Sequence, residues 1–133
     1  MAGGDGGEVK MKVAPKWAQD LTLNALIHLT KEGFNPPVPS LSWRRAKHPD
    51  STGACYPESE QIHINAGRSR TDTKMVLLHE LAHLVTEGIH SPQFWDVAWM
   101  LYRWAKLPVR YCLAREKEYR KGAVTAFIRS RKS

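Results

Sequence analysis

The segment from Thr71 to Glu87 constrains the fold more than any other, because it is apolar almost all the way round a helix and yet carries two histidines four residues apart. At roughly 100° per residue, Leu77, Leu81 and Leu84 group on one side with Leu78 and Val85 beside them, while His79 and His83 lie opposite. Thr71 or Asp72 offers an N-cap and Gly88 a stop. A helix with so little polar surface belongs at the centre of a fold. Its only polar stripe is the one that carries the histidines.

The rest of the chain supplies what would surround it. Trp17, Leu21, Ala25, His28 and Leu29 recur at helical spacing, with Pro15 suited to a first turn and Gly33 to a stop, so a helix is predicted over about 15–32. Asn35-Pro36-Pro37-Val38-Pro39 cannot continue it and must be extended. Leu41–Arg45, Ala54–Tyr56 and Gln61–Asn65 read as short strands of a small sheet. Gln61–Asn65, with Ile62 and Ile64 facing inward, is expected beside the histidine helix, either as a core strand or as an edge that could align an extended peptide. Ser91-Pro92 caps a third helix that runs through Phe94, Trp95, Ala98, Leu101, Tyr102 and Ala105 and ends at Pro108. A fourth, more charged helix is predicted from about Leu113 to Ile128.

At 133 residues this is one domain, expected over 14–128, with a Gly-rich leader at 1–13 and a basic tail at 129–133. An apolar content of 42% and a charged content of 25% are those of an ordinary globular chain, which argues against a disordered or fibrous one. No long apolar run and no basic-then-apolar leader is visible, so neither a membrane span nor a secretory signal is expected. Cys55 and Cys112 form no Cys-x-x-Cys pair, and reduced thiols in a cytoplasmic protein are the simplest reading. The net charge of +7 is concentrated from Arg103 onward, where ten Lys/Arg stand against Glu116 and Glu118. That region reads as a solvated helix and tail. Any nucleic-acid contact through it should be weak, sequence-independent and salt-sensitive.

His79-Glu80-Leu81-Ala82-His83 is an H-E-x-x-H sequence within a predicted helix, the context in which such a match carries chemistry. Spacing of i, i+4 stacks the imidazoles one turn apart on one face, where both can reach one metal ion. Zinc suits neutral imidazole nitrogen and accepts three protein ligands with a fourth position open. Glu80 is offset by about 100° around the helix, placing it to act as general base on water rather than as a ligand. The competing reading is a buried helix whose histidines satisfy each other or backbone carbonyls. A third ligand is required, and His90 is best placed, at the reversal between Gly88 and Ser91-Pro92; Glu87 and Glu116 are the other candidates. His63, on the alternate face of its strand, reads as a surface histidine. Tyr102 and Tyr111 could donate to an oxyanion but read first as packing aromatics, as do Trp95, Trp99 and Trp104.

The 17 residues from His79 to Trp95 resemble the active-site segment of the SprT-like, YgjP-like and WLM-type zincin metallopeptidases, in which a third histidine follows the H-E-x-x-H helix and an aromatic opens the next. The resemblance implies an α+β zincin-like fold, one catalytic zinc and hydrolysis of peptide bonds in a peptide or protein substrate. By position it gives His79, His83 and His90 as ligands and Glu80 as the catalytic glutamate. Two other readings stay open: a zinc hydrolase of a non-peptide amide, and a catalytically silent metal-containing module that binds protein or nucleic acid.

Overall fold

The structure is a computed structural model that describes residues 13–86, 89–116, 125, 126 and 128. It is an α+β fold of four helices and one three-stranded sheet: α1 (Lys16–Lys31), β1 (Ser40–Arg45), β2 (Thr52–Tyr56), β3 (Gln61–Ala66), α2 (Arg70–Thr86), α3 (Pro92–Trp104) and α4 (Val109–Arg115). The leader up to residue 12, Glu87, Gly88, the segment 117–124 and Phe127 of the expected fourth helix and the tail 129–133 lie outside the described residues.

The helix ends follow local chemistry. α1 is preceded by Pro15 and terminated by Gly33 at φ +95°, where the Gly33 N–H donates to Thr30 O and the Phe34 N–H to Leu29 O. That pair of bonds satisfies carbonyls the helix would otherwise leave open, and only glycine takes this backbone without strain. α3 opens as expected on Ser91, whose Oγ accepts from the Phe94 N–H at 3.1 Å, with Pro92 in the first turn. The fourth helix starts earlier than the sequence suggests, at Val109 rather than about Leu113. Pro108, expected to end the preceding helix, comes after it: α3 already stops at Trp104, and Lys106 turns left-handed at φ 60°. Pro108 stands instead at the N-cap of α4, its carbonyl accepting from Cys112 N–H.

In the sheet, β3 is central: β1 pairs with it in parallel and β2 antiparallel. The alternative in which Gln61–Asn65 forms an edge is therefore not the one adopted, and β1 and β2 are the edges. The reason lies in burial: Ile62 and Ile64 are fully buried, as a strand flanked on both sides and covered on one face requires. α2 lies on that face and also packs against α1 and α3. Its Met75, Leu77, Leu78, Leu81, Ala82 and Leu84 join Ile62, Ile64, Phe94, Trp99 and Leu101 in one core. Trp95 and Trp99 are buried, while Trp104 is partly exposed and stacks on His28 at 5.4 Å. Among the described residues, no helix is long and apolar enough to cross a membrane.

One polar cluster ties the first turn of α2 to β2 and α4. The Asp72 carboxylate accepts from the Ser51 backbone N–H at 2.6 Å, from Arg115 Nε at 2.5 Å and from the Tyr111 hydroxyl. Arg115 Nη2 also donates to Ser51 O at 2.7 Å, and Ser51 Oγ bonds Thr73 Oγ1 at 2.8 Å. Burial alone would raise the Asp72 carboxyl, but the bonds from Tyr111, Ser51 and Arg115 outweigh it and hold the group below the usual carboxylate range. A carboxyl depressed in the folded state stabilises the fold above its unfolded pKa, and loses that contribution as pH falls through its folded pKa. Asp72→Asn should cost about 3 kcal/mol in urea unfolding at pH 7, because it strands buried donors. The gap to the wild type should narrow once pH drops below about 4, the unfolded value.

Candidate metal centre

α2 presents His79 and His83 one turn apart, and the link to α3 brings His90 over them. His90 Nε2 lies 3.2 Å from His79 Nε2 and 3.2 Å from His83 Nε2. Among the described residues this trio is the one group of three or more His, Cys, Asp or Glu whose ligand atoms gather closely enough to hold a metal ion, all within 4.8 Å of one another. Tetrahedral ligands at about 2.0–2.1 Å from zinc stand about 3.3 Å from each other. Two of the three nitrogen pairs come close to that edge length. One Nε2–H on His90 could serve only one of its two neighbours at a time, so mutual hydrogen bonding leaves the trio less well satisfied than a shared cation would.

Each ring is held from behind. His83 stacks on Phe94 at 4.2 Å, and His90 stacks on Trp95 at 5.6 Å. These aromatics follow directly from the Ser91-Pro92 cap, which starts α3 under the rings. His79 Nδ1 lies 2.9 Å from Glu116 Oε1, and the Tyr102 hydroxyl donates to the same oxygen at 2.9 Å. A carboxylate on Nδ1 fixes that nitrogen as the N–H donor and leaves the Nε2 lone pair aimed at the centre. Burial holds His90 below the ordinary imidazole value, a lowering that a protonated His79 would deepen and that Glu116 opposes. The neutral, metal-binding form is thereby favoured.

The sequence-expected residues divide as follows. His79, His83 and His90 come together. Glu116, weighed as a ligand, instead orients His79 from outside the trio, and Glu87 lies outside the described residues. His63 is not one of the gathered ligands and bonds Gln61 Oε1 at 3.1 Å. Tyr102 and Tyr111 are more than packing aromatics, since each hydroxyl donates to a carboxylate, Glu116 and Asp72 respectively. The role of Glu116 was hard to see in sequence: nothing local announces a partner 37 residues from His79.

Glu80 is 7% exposed and lines a cleft of about 200 Å³ together with His79, Thr52, Gly53, Arg115 and Glu116. Burial pushes its carboxyl up to about 7, with His79 pulling it down and Glu116 pushing it further up. A divalent cation beside it would draw it back towards ionisation. Gly53 makes room for it: a Cβ there would stand 3.0 Å from Glu80 Cγ and 2.9 Å from Val76 Cγ1. The Cys55 thiol is pushed up to about 12 by burial and by Glu80, so it offers no thiolate near neutral pH.

Comparison with protein-family models, curated proteins and solved structures finds no match to this chain. The site therefore stands on its own geometry. Competitive titration with a chelator should give one metal ion per chain. His90→Ala should weaken binding by more than about a hundredfold, and Glu116→Ala by about 10–100-fold, the usual cost of losing a partner behind a ligand.

Proposed function

We propose that the chain is a zinc-dependent hydrolase of peptide bonds with a zincin-like arrangement of sheet and helices, using His79, His83 and His90 to hold the metal and Glu80 as general base. The observation that carries this reading is the convergence of three imidazole nitrogens beside a buried glutamate from the same helix. Three neutral nitrogen donors suit zinc among the common divalent ions, although copper, iron and nickel also accept imidazole. Bound zinc supplies Lewis acidity, acidifying water and polarising a carbonyl.

The chain's own residues would then act as follows. Glu80 accepts a proton from water as the water oxygen attacks the carbonyl carbon, and returns it to the amine nitrogen as the C–N bond breaks. A carboxyl whose burial favours the protonated form is well suited to hold that proton between the two transfers. Glu116 and Tyr102 keep the His79 ring in place throughout. Strand β2, an edge of the sheet, contributes Thr52 and Gly53 to the cleft and offers backbone groups to an extended peptide. A peptide substrate suits that geometry better than a compact amide, which would make no use of the strand.

The test is digestion of a peptide library with and without chelator. Cleavage should require metal, and Glu80→Gln should keep the metal while losing most turnover, because an amide cannot take the proton. Near-native turnover in that variant would remove Glu80 from the role. Chelator-sensitive hydrolysis of simple amides with peptides left intact would favour the non-peptide reading.

A further inference from the structure

Towards the start of α2, residues of the sheet and α1 line an open pocket of about 420 Å³, a volume within the range of small-molecule pockets. Arg45, Arg68 and Arg70 line it together with Trp17 and Trp43. The sequence places them there. Arg45 follows Trp43 by two residues on β1 and so shares its face, at the end where β1 pairs with Ala66 of β3. Arg68 and Arg70 come from the link between β3 and α2 and from the first residue of α2. The Arg70 guanidinium lies 4.7 Å from the centroid of the Trp17 ring, and Trp17 meets Trp43 edge to face at 5.8 Å.

The charge here is uncompensated. No acidic residue lines the cavity, and among the described residues none of the three arginines forms an ion pair. Three like charges lining one concavity raise the local positive potential, which an anion relieves. Guanidinium groups present forked donors that match phosphate oxygens, and a phosphate has enough oxygens to engage more than one fork. The indole rings add an apolar, stackable wall that an inorganic ion would leave unused but a nucleobase would cover.

We propose that this cavity is a binding site for a phosphorylated nucleoside, with phosphate on Arg45, Arg68 and Arg70 and the base against the tryptophan pair. The ligand chemistry is shared by a free nucleotide and by one unit of a single strand. Arg70 precedes His79 and His83 by 9 and 13 residues on the same helix, so the pocket stands roughly 14–20 Å from the metal centre. Its occupancy is independent of whether the chain is a hydrolase.

The experiment is calorimetry on the full chain with adenosine diphosphate, pyrophosphate and a short oligothymidylate, each at low and moderate salt. Adenosine diphosphate should bind at least about tenfold more tightly than pyrophosphate. The double variant Arg45→Ala/Arg68→Ala should lose at least tenfold in affinity for the nucleotide while its metal content and circular dichroism stay unchanged. Trp17→Leu should weaken the nucleotide more than pyrophosphate. Oligothymidylate binding much tighter than the mononucleotide, with the same arginine dependence, would identify a strand as the source; the reverse order would identify a free nucleotide. No binding of either probe at millimolar concentration in low salt would overturn the proposal. So would pyrophosphate binding as well as the nucleotide. Binding that survives the double variant but disappears when Arg129, Arg131 and Lys132 are replaced would also overturn it, assigning the interaction to the basic carboxy-terminal residues.

Discussion

The cost of burying ionisable groups in α2 governs the arrangement around it. The helix is enclosed by the sheet, α1 and α3, yet it carries Asp72, His79, Glu80 and His83, of which Asp72, Glu80 and His83 are at most 8% exposed. A charge or a polar nitrogen held out of water must be matched by hydrogen bonds or by an opposite charge. At the first turn the match is complete, because Asp72 accepts from three donors. At the histidines it is made from several directions, by Glu116 on Nδ1 of His79 and by His90 facing both Nε2 atoms. Polar density in the middle of an apolar helix makes sense when a cation completes it.

The two polar clusters are mechanically joined. Arg115, which bonds Asp72 and Ser51, is the immediate neighbour of Glu116, which bonds His79. Tyr111, one turn earlier on α4, also bonds Asp72. The short α4 is thus pinned to the start of α2 and to the residue before β2, and that pinning delivers Glu116 to His79. A seven-residue helix has little stability of its own, so its position depends on these tertiary contacts. The same contacts hold Ser51, and with it the start of β2, against the cleft that contains Glu80. A change at Asp72 would therefore reach the histidine trio through two routes without touching any of the three rings.

Much of this was legible in the sequence where local rules dominate. The i, i+4 histidines, the Leu-rich side of α2, the Gly33 stop and the Ser91-Pro92 cap are all decided within one or two turns. The structure places them close to where periodicity and capping put them. What was not legible depends on residues far apart in the chain. The order of strands, which makes Gln61–Ala66 central, goes with the full burial of Ile62 and Ile64, which a strand paired on both edges and covered by α2 on one face provides. The start of α4 at Val109 follows from α3 ending early, at Trp104, so that Pro108 is free to stand at the N-cap of the next helix. Glu116 was visible as an acidic residue with a possible metal role. Only the three-dimensional path of α4 turns it from a competitor of His90 into a support for His79.

The two tyrosines bear on how the cleft could stabilise a developing negative charge. Tyr102 is fully buried and spends its proton on Glu116, while Tyr111 spends its own on Asp72. Burial and the adjacent carboxylate push the Tyr102 hydroxyl well above its ordinary value, and the same two causes push Tyr111 up to about 12. Both therefore remain neutral donors to carboxylates near neutral pH. Redirecting either towards a substrate oxygen would leave a buried carboxylate short of a donor, a loss of about 1–3 kcal/mol or more. Arg115 lines the cleft, but its Nε and Nη2 are already engaged by Asp72 and Ser51. Both tyrosine hydroxyls and these two Arg115 nitrogens are thus committed to holding the scaffold. Polarisation of a substrate carbonyl in the proposed reaction would then fall to a cation at the three histidines, were one bound there.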